Sequence, residues 1–280
     1  MEKNGFLSNQ LDVILDTTKH KYFDQHPYPF AQIDNFLNEE YINQIYDEFP
    51  TLNSSKWINY KHFNENKFGN TKLDSFPPKI KDLIVYLNSK VFTDKLSEFT
   101  GISGLIPDPS LEGGGLHQTP KNGFLNIHAD FTAHPHNKTW RRRVNLLIYL
   151  NKELQPEWGG ELEIWEKDMS KCVHKISPIY NRCVIFNTDS DTYHGHPDPF
   201  NCPEGESRKS IALYYFTDEK EDLKVKGTDY KSRPQDSSVK RFLVFLDKKA
   251  LAIYHYVKVK TGMSDAFMSR ILGLFNKKLK

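Results

Sequence analysis

The tripeptide His128-Ala129-Asp130 closes a strand-like run, Gly123-Phe124-Leu125-Asn126-Ile127-His128-Ala129-Asp130. In an extended segment residues i and i+2 point to the same side. His128 and Asp130 can therefore offer an imidazole and a carboxylate to one metal ion. A third ligand is needed, and the segment Asp191-Thr192-Tyr193-His194-Gly195-His196-Pro197 holds two candidates, His194 and His196, 64 and 66 residues beyond Asp130. Two histidines and one carboxylate on one face of an octahedron leave three positions for other ligands, a donor set suited to iron(II). His194 is the expected third ligand, with His196 as its alternative. A second His-x-Asp, at His196-Pro197-Asp198, is rejected, because its central proline spoils the strand geometry and the histidine that follows, His255, sits in a helical, basic tail.

Past His194 comes Arg208-Lys209-Ser210, opening the strand-like Ser-Ile-Ala-Leu-Tyr-Tyr-Phe. Arg208 and Ser210, two apart, project together. The guanidinium can grip a carboxylate through a two-pronged fork while the hydroxyl adds a further bond. An open metal site beside such a pair suits a dicarboxylate that chelates the metal at its other end, as 2-oxoglutarate does.

The elements that must carry these residues divide at Gly101. Before it, residues 1–26 read as a polar, irregular lead-in, and 27–37 alternate as a short strand. Asn38 followed by Glu39 and Glu40 starts a helix to Phe49. Residues 50–76 are turn-rich, with Trp57 and Tyr60 as anchors. A single helix is expected over about 78–100, burying Ile80, Leu83, Ile84, Leu87, Val91, Phe92 and Leu96, with Gly101 as its stop. After Gly101 about eight short strands follow at close intervals, at 111–118, 123–128, 144–150, 161–165, 173–176, 183–187, 192–196 and 210–216. That spacing predicts a barrel or two-sheet jelly roll with helices packed on it, an α+β chain. The strand signal ends at Asp218, and helices are expected over 238–258 and 264–279.

Composition narrows the classes. The 280 residues carry 38 Lys+Arg against 36 Asp+Glu. Residues 238–280 hold ten of the basic groups and two of the acidic ones, a charge of +8, which leaves 1–237 at −6. An acidic body argues against a broad nucleic-acid surface. No apolar run approaches the roughly 20 residues of a membrane span, and no signal peptide is apparent at the start. Cys172, Cys183 and Cys202 form no Cys-x-x-Cys pair and read as reduced thiols of a cytoplasmic protein.

Taken together, the strings 123–130, Asn145-Leu146-Leu147-Ile148-Tyr149-Leu150-Asn151, Gly159-Gly160-Glu161-Leu162, Val184-Ile185-Phe186, His194-Gly195-His196-Pro197 and Arg208-Lys209-Ser210 stand in an order and spacing that resemble the Fe(II)/2-oxoglutarate-dependent dioxygenases, in their prolyl 4-hydroxylase-like branch. The resemblance covers about 27–217 and implies a double-stranded β-helix core, Fe(II), 2-oxoglutarate, O2 and ascorbate as a reductant. It places the iron on His128, Asp130 and His194, and the distal carboxylate of 2-oxoglutarate on Arg208. Tyr149 falls on a tyrosine that supports that carboxylate, and Leu162 on an apolar wall of the same pocket. Gln118, ten residues before His128, stands where hypoxia-type prolyl hydroxylases have a tyrosine. The Pro-rich insert between His194 and Arg208 is longer than in those enzymes and is read as a lip over the site.

Three regions follow: a lead-in (1–26), the oxygenase domain (27–217) and a basic helical extension (218–280). The expected activity is hydroxylation of an unactivated C–H in a prolyl residue or a small metabolite. The segment 131–143, with His134, His136, Lys138, Trp140 and Arg141 to Arg143, is the candidate substrate loop. Gly113 to Gly115 with His117 mark a close backbone approach or a bend. Two competing readings are a jelly-roll binding module without redox chemistry, and a scaffold recruited through 238–280. The apolar faces of that basic extension fit packing on the body, a homodimer, a partner protein or an anionic membrane surface.

Overall fold

A computed structural model describes residues 5–224 and 226–261. The expected helix at 264–279 lies outside the described residues. The elements in chain order are α1 (Leu11–Phe23), β1 (Phe30–Ile33), α2 (Glu39–Glu48), β2 (Ile58–His62), β3 (Glu65–Asn70), α3 (Pro78–Leu87), α4 (Lys90–Thr100), β4 (Ile106–Pro107), β5 (Gly115–Pro120), β6 (Phe124–Ala129), β7 (Trp140–Tyr149), β8 (Leu162–Trp165), β9 (Cys172–Ile176), β10 (Cys183–Asn187), β11 (His194–His196), β12 (Ser207–Asp218), β13 (Asp229–Tyr230) and α5 (Ser238–Thr261). The expected α+β class, with a double-stranded β-helix core, is what the chain forms.

One face of the jelly roll is the antiparallel series β1-β10-β7-β12-β5, and the other is β6-β11-β8-β9. Strand β3 joins them by pairing with both β5 and β6. Period-two alternation decides which residues face where. On β7, Val144, Leu146 and Ile148 face the helices, and on β12 so do Ile211, Leu213 and Tyr215. They share one buried cluster with Ile42 and Ile45 of α2, Leu83 and Leu87 of α3, and Phe92 and Leu96 of α4. Burying each such side chain contributes roughly 1.5–3 kcal/mol. The intervening residues of the same strands, Asn145 and Leu147 on β7 and Arg208, Ser210, Ala212 and Tyr214 on β12, face a cavity of about 320 Å³ between the two sheets.

Four local expectations change. Residues 11–23 are not an irregular lead-in: α1 packs on α4 and β1, buries Leu11 and Tyr22, and ties the Tyr22 hydroxyl to Asn187 Oδ1 at 2.5 Å. The single helix over 78–100 is two. Asn88 ends α3, and the Ser89 side chain accepts from Phe92 N to cap α4, so the register shifts and Val91, expected in the core, is 57% exposed. The turn-rich stretch 50–76 contains the β2–β3 hairpin. Strand pairing does not end at Asp218, because Asp229 and Tyr230 pair with Ala129 and His128. Helix α5 forms as expected and buries Val244, while Phe242, Phe245, Leu246 and Ile253 stay exposed. No helix among the described residues is long and apolar enough to cross a membrane.

The glycine run at 113–115 marks a close backbone approach. Gly115 has φ of +85°, and a Cβ there would lie 2.3 Å from the Asn70 carbonyl oxygen. Both the dihedral and the contact exclude a side chain. Gly115→Ala is therefore expected to destabilise the chain by well over ~1 kcal/mol, read as a lowered urea midpoint, whereas Gly205→Ala, which meets only the dihedral penalty at an open site, costs less.

Candidate active site

Three side chains converge at the end of β6 and the start of β11. His128, Asp130 and His194 are all buried and present one ligand atom each, within 4.8 Å of one another. Among the described residues this is the one such group of His, Cys, Asp or Glu. His128 and His194 are cross-strand partners, with ring centroids 4.6 Å apart. The His128 Nδ1 hydrogen bonds Asn126 O at 2.9 Å, and the His194 Nδ1 hydrogen bonds Thr192 O at 3.1 Å. A carbonyl can only accept, so each Nδ1 carries its proton and each Nε2 lone pair is left for a metal. The two Nε2 atoms lie 3.6 and 3.4 Å from the Asp130 carboxylate oxygens. Burial lowers His194 to about 4, against the opposing pull of Asp130, which keeps the ring neutral.

His196, the alternative ligand, lines the same cavity but stands apart from this trio. The register of β11 on β6 slips between His194 and His196. Its Nδ1 is buried without a hydrogen bond, and burial and the Arg208 charge hold its pKa well below the ordinary value.

The Asp130 carboxylate is the most constrained group of the site. Burial alone would raise its pKa; the Arg142 guanidinium and then the two histidines hold it well below the carboxylate range. Arg142 Nη2 lies 3.0 Å from Asp130 Oδ2, at an angle outside hydrogen-bond geometry. Its Nε donates to Asn145 Oδ1 at 2.9 Å, and Asn145 Nδ2 donates to Asp130 Oδ2 at 2.8 Å. The guanidinium lies 3.4 Å from the centroid of the Tyr214 ring and 4.6 Å from that of Phe131. Arg142 is thus the member of the basic segment 131–143 that enters the metal site. His134 instead is buried against Asp108, with its Nδ1 accepting from the backbone N–H of His136 and Asn137, and His136 is exposed.

Deeper along β12, Arg208 is 5% exposed. Its Nε donates to Gly160 O at 2.7 Å, and its guanidinium lies 4.8 Å from the Tyr149 ring centroid. Gly160 has φ of +82°, and a Cβ there would meet Phe200 at 2.8 Å and Arg208 Cδ at 3.2 Å, so only glycine lets this carbonyl reach the guanidinium. Among the described residues no carboxylate lies within ion-pair distance of Arg208. Ser210 and Leu162 line the cavity beside it. The Tyr149 hydroxyl is buried without a hydrogen bond of ordinary geometry. Gln118 is the exception among the sequence candidates. Its neighbours His117 and Thr119 face the cavity, so alternation turns Gln118 away, and its Nε2 donates to Ser207 Oγ at 2.6 Å. Residues 197–206 of the Pro-rich insert, expected as a lip, are not among those that line the cavity, and Phe200 within it is buried against Gly160, its backbone paired with Gly123 and Asn122.

Sequence reasoning missed part of the cavity. Asn145 carried a signal, since it opens a quoted string and shares the parity of Tyr149. Glu65, Lys67 and Tyr230 carried none. Glu65 belongs to a buried chain in which His62 bridges two carboxylates, Nε2 to Glu65 Oε1 at 2.8 Å and Nδ1 to Asp247 Oδ2 at 2.7 Å.

Arg208 is buried in this cavity and brings an anion-binding fork to it. A buried guanidinium with no carboxylate in contact is costly, and a dicarboxylate held at the metal ligands would offer one to Arg208. The two Nε2 atoms, left free by the Nδ1 hydrogen bonds, and the Asp130 carboxylate likewise fit Fe(II).

Comparison with known proteins agrees. Residues 114–217 match the 2OG-Fe(II) oxygenase superfamily. No curated protein matches the sequence. The fold is similar to a prolyl 4-hydroxylase of Pseudomonas putida (15% identity, TM-score 0.52, 74% of this chain and 98% of that one). It is also similar to a Trichoplax adhaerens prolyl hydroxylase in complex with a hypoxia inducible factor oxygen degradation domain peptide fragment (19%, 0.53, 76% and 94%), and to a Phytophthora capsici prolyl 4-hydroxylase (16%, 0.50, 95% and 82%).

The His62 chain gives a pH prediction. Burial would lower the His62 pKa, but Glu65 and Asp247 raise it to about 9, above the unfolded value of about 6.5. A raised folded pKa adds stability that is fully present below about 6.5 and is lost as pH rises through 9. Wild type should therefore lose on the order of 3 kcal/mol relative to His62→Gln between these limits, measured as the difference in their urea unfolding curves against pH.

Proposed function

We propose that this chain, whose residues 114–217 form a 2OG-Fe(II) oxygenase domain, is an Fe(II)- and 2-oxoglutarate-dependent hydroxylase using His128, Asp130 and His194 as metal ligands and Arg208 as the anchor of 2-oxoglutarate. The observation that carries this reading is the pairing of a buried two-histidine, one-carboxylate set with a buried arginine that has no carboxylate within ion-pair distance among the described residues, in one cavity. A jelly-roll binding module would have no use for that pair.

When bound, Fe(II) with 2-oxoglutarate and O2 supplies the oxidising power for hydroxylating an unactivated C–H. The chain does the rest. The carbonyls of Asn126 and Thr192 hold the Nδ1 protons of His128 and His194, so Nε2 of each ring would be the metal ligand. Asn145 and Arg142 keep the Asp130 carboxylate ionised and fix its direction. Arg208, with Ser210, would hold the far carboxylate of the co-substrate, with Leu162 as an apolar wall and the Tyr149 hydroxyl at the same end. Burial keeps this end dry, which strengthens each charge interaction.

For the substrate, the fold shared with prolyl hydroxylases supports a prolyl residue of a polypeptide first, and a small metabolite second. Mass spectrometry of candidate peptides and metabolite pools, seeking a 2-oxoglutarate-dependent gain of one oxygen, separates them.

Two outcomes are expected. With Fe(II), ascorbate and O2 the chain should convert 2-oxoglutarate slowly to succinate without added substrate, and His128→Ala or Asp130→Ala should abolish this. Absence of both Fe(II) binding under anaerobic conditions and turnover in air would falsify the reading. Arg208→Ala should weaken 2-oxoglutarate binding by roughly 2–5 kcal/mol, the cost of truncating one partner of a buried charge pair, read by anaerobic titration, with the metal affinity little changed.

A further inference from the structure

Residues 226–247 lie outside the matched domain, yet they surround its metal-binding segment. Thr132 N donates to Lys226 O at 3.2 Å, and Lys231 N donates to Ile127 O at 2.8 Å. Between these two bonds Asp229 and Tyr230 pair with Ala129 and His128. The backbone carrying both His128 and Asp130 is thus held from 127 to 132 by the extension. Gly227, Thr228 and Tyr230 line the cavity. The Tyr230 ring is buried, 5.5 Å from the His128 ring and 6.0 Å from the His62 ring.

Two anchors keep the segment there. Arg233 Nη2 donates to Asp198 Oδ1 at 2.7 Å, just past β11, and Arg233 N donates to Asp236 Oδ2 at 2.7 Å. Beyond it, Asp247 of α5 reaches through the β2–β3 hairpin. Its Oδ2 accepts from Asn64 Nδ2 at 2.6 Å and hydrogen bonds His62 Nδ1, while His62 Nε2 meets Glu65, which lines the cavity. Asn64 Oδ1 in turn accepts from Asn126 Nδ2 at 3.0 Å, and Asn126 O is the carbonyl that orients His128. Hydrogen bonds therefore run without a break from α5 to a metal ligand.

We infer that the C-terminal segment 226–247 is a structural part of the metal centre: Tyr230 is a positioning residue for the His128 ring, and the Asp247–Asn64–Asn126 and Asp247–His62–Glu65 chains lock α5 so that it stays in place. The inference rests on the metal-binding reading above. Groups that orient metal ligands without touching the metal are worth about 10–100-fold in metal affinity.

The test uses the full chain and Co(II) alone as probe, with affinity read from the cobalt absorption bands and backbone protection read by hydrogen exchange in the metal-free protein. Tyr230→Phe keeps the ring and should bind Co(II) within about twofold of wild type, while Tyr230→Ala should bind at least about 10-fold more weakly with altered bands. Asp247→Ala, remote from the cavity, should speed amide exchange within 128–132 and weaken Co(II) binding in the same direction. A folded Tyr230→Ala with wild-type affinity, bands and exchange overturns the inference. Should Tyr230→Ala not fold, an Asp247→Ala chain with unchanged exchange and affinity overturns it equally. A wild type that binds no Co(II) overturns the metal reading itself, a result distinct from equal binding by wild type and variant.

Discussion

The arrangement depends on keeping one carboxylate charged in a buried place. Asp130 has lost its water, and an isolated anion there would take up a proton instead of binding a metal. Arg142 prevents this, and Asn145 serves both partners at once, accepting from the guanidinium and donating to the carboxylate. Arg142 must itself be held, and the rings of Tyr214 and Phe131 do so. Thus a metal ligand just past the end of β6 is made competent by residues of β7 and β12, from the opposite sheet. The jelly roll supplies that opposition.

The same strands carry the second requirement. β7 and β12 alternate between a helix-facing set and a cavity-facing set. Each apolar residue given to α2, α3 and α4 fixes the register of its polar neighbours, because a slip by one residue would send Asn145 and Arg208 outward and Leu146 and Ile211 into the cavity. The helical layer therefore determines where the functional groups of the cavity point, without touching it.

What was legible follows from this. His128 and Asp130 could be read because two ligands share one strand and their geometry is local. Arg208 and Ser210 could be read for the same reason. By parity alone His194 and His196 were equivalent; the family resemblance chose His194, and the β11 register sets the two apart. Gln118 was placed by its distance from His128, a count along the chain, but side chains answer to parity, which favours His117 and Thr119. Arg142 was visible as one of three consecutive arginines, and nothing in that run says which one turns inward; β7 decides. The break at Asn88 and Ser89 was hidden because the apolar stripe continues nearly unbroken, and a single capping hydroxyl outweighs it. α1 was missed because it has little amphipathic contrast and no side-chain cap.

The uneven charge of the chain also takes on a structural meaning. Over Ser238–Thr261 the sequence has a single acidic residue, Asp247. A carboxylate alone among lysines would be expected to sit at the surface and pair with them. It is instead the inward-facing group, one turn from the buried Val244, and its partners are a histidine and an asparagine of the hairpin. Lys248 next to it pairs with Asp229, on the strand that flanks His128. A helix whose basic charge dominates can face an acidic body in many rotations by long-range attraction alone. One largely enclosed carboxylate, satisfied opposite His62, the Phe63 N–H and Asn64, selects a single rotation, and the cost of leaving it unpaired enforces the choice. The positive charge of the extension favours docking, and its one anion sets the docked geometry.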